Sequence, residues 1–182
     1  MDIEIVDNFL SECEAEKVLE ECYSANYFYG ETDSELNSEK KFPPTGMVSH
    51  LDPDDYIFKV INEKIQIKFP SLYCGKVNIR SYINCYSPRE VSYFHTDCDS
   101  SSEWYDSGYT LLYYPNKKLD INEGGETQFY IDDKIIGIPP THNRIVKFKV
   151  PILHRATPFQ NHHRFSIAFK FISRFQKDNI AL

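Results

Sequence analysis

The sequence predicts a mainly β protein with flanking helices, built as a sandwich or a barrel. Three observations predict it. From Val77 onward, apolar and polar residues alternate with a period of two through a series of short runs. Gly124-Gly125, Pro139-Pro140 and His142-Asn143 punctuate those runs as turns. Helical periodicity is confined to the region before them, so helices should cover one outer face of the β structure.

The elements follow in order. Ile3-Glu4-Ile5-Val6 reads as a short strand. Ser11-Glu12-Cys13-Glu14 is a capping-box pattern that starts a helix, and Val18, Leu19 and Cys22 give that helix an apolar stripe. Residues 30–46 are polar and broken by Gly30, Pro43, Pro44 and Gly46, which predicts a long loop. Asp52-Pro53 is read as the cap and first position of a second helix. Ile57, Val60, Ile61 and Ile65 form its buried face, and Pro70 ends the region.

In Val77–Tyr86 one face carries Asn78, Arg80, Tyr82, Asn84 and Tyr86, and the other carries Val77, Ile79, Ser81, Ile83 and Cys85. A polar, aromatic face opposite an apolar one suits a sheet that lines a site. Further strands are predicted at Tyr109–Tyr114, Thr127–Ile131, Lys134–Ile138, Arg144–Val150 and Arg164–Ile172.

Composition narrows the function classes. The net charge of -7 argues against a broad nucleic-acid-binding surface, which needs a basic face. The 5 cysteines are odd in number with no CxxC pair, and Met1-Asp2-Ile3-Glu4 opens without the apolar run of a signal peptide. Reduced thiols in a cytoplasmic setting are the expectation. No apolar run approaches the length that spans a membrane.

The chemistry centres on Tyr93-Phe94-His95-Thr96-Asp97. In an extended backbone His95 and Asp97 project the same way, so an imidazole nitrogen and a carboxylate oxygen can share one metal ion. His154 supplies a second imidazole. Two His and one carboxylate make a facial triad for non-haem Fe(II) and leave open metal positions. HxD alone is a weak signal, since three-residue patterns recur by chance and the chain has 6 histidines. The strand Arg164-Phe165-Ser166-Ile167-Ala168-Phe169-Lys170-Phe171 strengthens it. Arg164, Ser166 and Ala168 share one face, a guanidinium with space beside it, suited to gripping a carboxylate through paired hydrogen bonds. The phenylalanines and Ile167 share the other face, which belongs against the helices.

On these residues, together with Gly124-Gly125-Glu126-Thr127-Gln128-Phe129, Tyr86 and Tyr113-Tyr114-Pro115-Asn116, the chain resembles the 2-oxoglutarate- and Fe(II)-dependent oxygenases of the prolyl-4-hydroxylase-like type. Ile5-Val6-Asp7-Asn8-Phe9-Leu10 resembles the family's opening. The resemblance implies a double-stranded β-helix, a jelly-roll (cupin-like) barrel. It implies one domain over 1–182, with N-terminal helical support over 1–75 and the barrel over 76–175. It implies His95, Asp97 and His154 as iron ligands and Arg164 as the grip on the distal carboxylate of 2-oxoglutarate. Tyr114 would donate a hydrogen bond to that carboxylate. Tyr86 would contact the co-substrate nearer the metal, with Tyr82 and Tyr113 as competitors. The implied reaction consumes 2-oxoglutarate and O2, gives succinate and CO2, and hydroxylates a peptidyl residue such as proline. A free amino acid or another small molecule is the second substrate class, and ascorbate is implied as reductant. Relatives that halogenate lack the carboxylate, so Asp97 favours hydroxylation.

Cys98–Gly108 leaves the HxD segment and holds the only tryptophan, Trp104, with Tyr105. It is read evenly as a substrate-closing loop or a solvated connector, and residues 28–46 as a second lid. His162 and His163 read as exposed turn residues, and His50 and His142 as structural or exposed. Arg80, Arg155 and Lys170 are candidate cations at the mouth. Rival readings are a catalytically weak barrel that senses a ligand or binds a partner, and a Zn(II) hydrolase. The triad with Arg164 disfavours the first. The lack of a separate general base disfavours the second. No GxSxG occurs, which disfavours a serine hydrolase.

Overall fold

The structure is a computed structural model and describes residues 3–31, 46–90, 92–98, 100–103, 105–117 and 120–173. Helix α1 spans Glu12–Ser24 and opens with the expected capping box. The Glu14 N–H donates to Ser11 Oγ at 3.4 Å, and the Ser11 N–H donates to Glu14 Oε2 at 2.8 Å. Two orphan amides at the helix start are thereby satisfied. Helix α2 spans Tyr56–Lys68, and its cap is Asp55 rather than Asp52. The Asp55 carboxylate accepts from the Asp52 N–H at 2.7 Å, and the Asp55 N–H donates to the Asp52 carbonyl at 3.0 Å. Pro53 therefore sits in a turn ahead of the helix, not at its first position.

The strands are β1 (Ile3–Val6), β2 (Phe28–Glu31), β3 (Gly46–His50), β4 (Lys76–Tyr86), β5 (Tyr109–Tyr114), β6 (Thr127–Ile131), β7 (Lys134–Ile138), β8 (Arg144–Lys149), β9 (Leu153–Ala156) and β10 (Arg164–Ser173). They form a seven-stranded sheet in the order β1-β8-β5-β10-β4-β3-β2 and a three-stranded sheet in the order β7-β6-β9. Two expectations are corrected. Residues 30, 31 and 46 belong to the antiparallel pair β2/β3 rather than to a loop. Residues 32–45 lie outside the described residues. Strand β9 was hidden in sequence because it is four residues long and follows Pro151.

Period-two alternation sorts side chains between two cores. Leu111 and Tyr113 of β5, Ile145 of β8, and Phe165, Ile167, Phe169 and Phe171 of β10 pack with Ala15, Val18, Leu19, Ile57, Ile61 and Ile65 of the helices. Leu112, Tyr114, Val146, Phe148 and Ala168 point the other way and meet Phe129 of the small sheet. The double-stranded β-helix is thus formed by two facing sheets, with both helices on the outer face of the larger one. Asn143 ties the N-terminal segment to it. Its amide accepts from the Leu10 N–H and donates to the Leu10 carbonyl, each at 2.8 Å. Tyr113 donates to the same amide at 3.2 Å, so its hydroxyl serves the helical core and not the inner face. All 5 cysteines are free, and no helix among the described residues is long and apolar enough to cross a membrane.

Candidate metal centre

His95 and His154 are brought together by backbone. They form an isolated antiparallel bridge in which each N–H donates to the other's carbonyl at 3.0 Å. Residues directly opposite in an antiparallel pair present side chains on one face. The two imidazoles accordingly lie 4.6 Å apart between centroids. The HxD segment makes this one bridge instead of a full strand, and Asp97, two residues on, reaches the same point. Nitrogens of His95 and His154 and a carboxylate oxygen of Asp97 lie within 4.8 Å of one another.

The second nitrogen of each ring fixes its tautomer. His95 Nδ1 lies 3.0 Å from the Tyr93 carbonyl, and His154 Nδ1 lies 2.9 Å from the Ile152 carbonyl. A carbonyl only accepts, so both Nδ1 atoms carry the proton and both Nε2 atoms keep a lone pair. His154 Nε2 then faces Asp97 Oδ2 at 3.7 Å, two acceptors turned toward each other in a buried place. A cation between them resolves that repulsion. The donor set, two imidazoles and one carboxylate, fits Fe(II).

Asp97 is held by two residues that sequence reasoning did not assign to it. Thr110 on β5 donates its hydroxyl to Oδ2 at 2.5 Å, and Lys170 on β10 places Nζ 2.8 Å from Oδ1. Burial pushes the Asp97 carboxyl up, but the Lys170 ammonium, with His154 and His95, outweighs it and holds the acid ionised. The same pairing raises Lys170 against the burial that would lower it. Burial pushes His154 down to about 4, against the pull of Asp97. The imidazole is therefore neutral at ordinary pH and ready to act as a ligand.

That shift predicts how the metal-free protein responds to acid. The unfolded imidazole takes up a proton near 6.5, while the folded one does not until about 4. Stability is therefore full above that window and falls as pH drops through it, by of order 3 kcal/mol at its lower end. The depressed Asp97 acid adds to the loss below it. Denaturant unfolding in chelator from pH 7 to pH 4 measures this.

Arg164 begins β10 with 1% of its surface exposed. Its Nε donates to the Gly125 carbonyl at 2.8 Å, and its Nη2 to Thr127 Oγ1 at 2.9 Å. Nη1 lies 3.4 Å from Ser166 Oγ. Among the described residues no carboxylate forms a salt bridge with it; its hydrogen-bond acceptors are neutral, and Glu126 supports its charge only from beyond salt-bridge distance. Tyr86 lies directly across the sheet, its ring 6.0 Å from the guanidinium carbon. Tyr114 is fully buried, and its hydroxyl donates to Thr127 Oγ1 at 2.7 Å, the same atom that Arg164 grips. Burial raises its phenol. One cavity is lined by the three candidate ligands, Arg164, Tyr86 and Thr127, and by Arg80, Tyr82 and Lys170.

The double glycine positions that grip. Gly125 has φ +86°, and a Cβ there would lie 2.1 Å from the ring of buried Phe159. Gly125→Ala is expected to cost about 2–4 kcal/mol in denaturant unfolding, from overpacking and left-handed strain together. It also displaces the carbonyl that holds Arg164.

The remaining candidates separate cleanly. Trp104 lies outside the described residues. Tyr105 is half-buried in a turn where its N–H donates to the Ser102 carbonyl at 3.0 Å. Arg155 lies over Phe94 and bonds Gln128 at 2.9 Å. His162 and His163 are exposed, and His162 pairs with Glu123 at 3.2 Å. His50 is exposed, and His142 Nδ1 lies 2.9 Å from the Pro115 carbonyl.

A family model described as the 2OG-Fe(II) oxygenase superfamily matches residues 81–171, a span that contains all three candidate ligands and Arg164. No curated protein matches the chain by sequence. Among solved structures the chain is similar to a prolyl hydroxylase from Trichoplax adhaerens in complex with a hypoxia inducible factor peptide fragment. The TM-score is 0.77 at 16% identity, covering 100% of this chain and 87% of that one. It is similar to a Pseudomonas putida prolyl-4-hydroxylase at TM-score 0.73 and 15% identity, covering 95% and 93%. A viral collagen prolyl hydroxylase from Paramecium Bursaria Chlorella virus-1, as a 2OG complex, gives TM-score 0.67 at 17% identity, covering 95% and 97%. At these identities the likeness speaks for the fold.

Proposed function

Since the chain belongs to the 2OG-Fe(II) oxygenase superfamily, we propose that it is a hydroxylase using a His95–Asp97–His154 centre, with a peptidyl residue such as proline as substrate. The observation that carries the reading is Arg164, a buried guanidinium with no carboxylate salt bridge among the described residues, lining the same cavity as the triad. Keeping a charge there is costly unless an anion completes it. A dicarboxylate that reaches from that charge to the triad is the co-substrate the site suits.

When bound, Fe(II) supplies the activation of O2 that couples conversion of 2-oxoglutarate to succinate and CO2 with hydroxylation of the substrate. The chain's own residues do the rest. The two Nε2 atoms offer neutral donors, since each Nδ1 proton is committed to a carbonyl. Thr110 and Lys170 each engage one oxygen of Asp97, which orients the carboxylate. Arg164 grips the distal carboxylate, and Gly125, Thr127 and Ser166 orient the guanidinium. Tyr114 steadies that grip through Thr127 and becomes a direct donor when its hydroxyl turns from Thr127. Tyr86, across the sheet from Arg164, flanks the co-substrate. Trp104 and Tyr105 belong to the loop assigned to the substrate.

In this reading the chain is one domain, in which 1–75 supplies the helical support together with the sheet strands β1, β2 and β3, and 76–175 forms the rest of the barrel. Ascorbate is the reductant that suits such a centre, and the free cysteines suit a reducing cytoplasmic setting. A free amino acid or other small molecule is the second substrate class. The test is a screen of peptides and free amino acids for a 16-dalton gain with protein, iron and 2-oxoglutarate under air. A gain that vanishes without iron or without 2-oxoglutarate supports the reading. Iron-independent hydrolysis of a substrate in its place would refute it.

A further inference from the structure

The two residues that hold Asp97 are neighbours on the large sheet. Thr110 of β5 and Lys170 of β10 are directly opposite each other in register, and both line the cavity. Opposed residues of an antiparallel pair present side chains on one face. The Asp97 carboxylate sits across the pair. Its Oδ2 accepts from the Thr110 hydroxyl at 2.5 Å, and its Oδ1 lies 2.8 Å from the Lys170 ammonium. Lys170 Nζ is also 3.5 Å from the Asp97 backbone carbonyl, and the Tyr82 ring flanks it at 5.6 Å. The Lys170 backbone is fixed too. The register shifts directly after it, between Lys170 and Phe171, and the Asn78 amide donates to the Lys170 carbonyl at 3.2 Å. The side chains of Lys170 and Asp97 are 12% and 6% exposed, so water screens this pair little.

The two carboxylate oxygens are therefore unlike. Oδ2 faces His154 Nε2 at 3.7 Å and keeps a lone pair beside the neutral Thr110 hydroxyl. Oδ1 is turned to a full positive charge. A divalent ion that also took Oδ1 would meet that ammonium across a single oxygen, in a buried place where like charges repel strongly. Resting on the oxygenase reading above, we propose that Lys170 is a positioning residue that restricts Fe(II) to Oδ2 of Asp97. The carboxylate then supplies one oxygen, and the metal's remaining positions stay open to the co-substrate and O2. Without the ammonium, Asp97 is free to bind through both oxygens, as carboxylates do at other metal sites. The same ammonium is the counter-charge of Asp97 when metal is absent, which keeps the ligand in place. Lys170 therefore opposes the metal's charge, and the site holds iron less tightly than the same three donors would without it.

The test is anaerobic equilibrium dialysis of Fe(II), then calorimetry of 2-oxoglutarate binding to the iron-loaded protein. The parent, Lys170→Met, Lys170→Gln and Lys170→Arg are compared. Both neutral variants are expected to bind Fe(II) at least about 10-fold more tightly, a small part of what one buried unit charge contributes at this range. A residue that merely packed against Asp97 would shift affinity the other way, because its loss would leave the ligand loose. Lys170→Met should also weaken 2-oxoglutarate binding by about 10-fold, since a second Asp97 oxygen takes a position that the co-substrate needs. Lys170→Arg keeps the charge and should return both constants toward those of the parent. Lys170→Gln still donates to Oδ1, so its iron affinity decides the question should the methionine variant not fold. Three results would overturn the proposal and leave the oxygenase reading standing: unchanged or weaker iron binding in the neutral variants, unchanged 2-oxoglutarate binding in Lys170→Met, or iron binding as tight in Lys170→Arg as in the neutral variants. A parent that binds no Fe(II) would remove both.

Discussion

Asp97→Ala is expected to reduce iron-dependent succinate formation below detection and to unfold the protein at lower denaturant. The first effect follows, on the proposed assignment, from the loss of the one anionic member of the candidate triad. The second follows from Lys170, whose side chain is 12% exposed and whose ammonium would be left buried without its carboxylate. Breaking one side of such a pair costs about 3–5 kcal/mol. The two effects are separable. Asp97→Ala combined with Lys170→Met removes both charges and should regain most of the stability, yet remain inactive. His95→Ala should abolish activity with a smaller stability loss, because its ring is only half-buried. Succinate release and urea unfolding on the same preparations measure both quantities. Recovered activity in the double variant would show that Asp97 matters for folding and not for the metal.

Arg164→Ala is expected to raise KM for 2-oxoglutarate about 100-fold, the value of a lost charge-assisted bidentate contact. Iron affinity should stay close to that of the parent, since Arg164 is proposed as an anchor for the co-substrate and is not one of the three candidate ligands. Arg164→Lys should fall between the two, because an ammonium keeps the charge and loses the fork. The alanine variant also leaves the Gly125 carbonyl and the Thr127 hydroxyl without the guanidinium that they hold at 2.8 and 2.9 Å. A stability loss of about 2–4 kcal/mol should accompany the kinetic one. Steady-state kinetics over a range of 2-oxoglutarate concentrations, with iron affinity measured separately, decides the assignment.

The inner and outer faces of β5, of residues 80–86 in β4 and of residues 164–170 in β10 were legible because alternation holds there. Beyond them the register shifts between Lys170 and Phe171, and Ile79, expected on the apolar face, is 38% exposed. Phe165, Ile167 and Phe169 had to face the helices once Arg164 and Ser166 faced inward. The same rule sends Tyr113, which sequence left as a competitor of Tyr86, to the helical core while Tyr114 faces inward. The triad was legible as a residue pattern, but the device that joins it was not. A single two-way bridge between His95 and His154 leaves no periodic signal, and a four-residue β9 after Pro151 leaves little more. The hold on Asp97 was also hidden. Thr110 reads as an ordinary strand residue, and Lys170 reads as a cation at the mouth until the register places it at the carboxylate. Its position on the Arg164 face was the available clue. The start of α2 was misplaced because Asp52 and Asp55 are equally good caps in sequence, and only the turn between them shows which one serves.

The central claim is that His95, Asp97 and His154 together hold one Fe(II). Anaerobic equilibrium dialysis of iron against the parent protein and His154→Ala tests it most directly, before any turnover. One tightly bound ion per chain in the parent, lost in His154→Ala and in His95→Ala, is the expected result. The same stoichiometry and affinity in all three proteins would contradict the account.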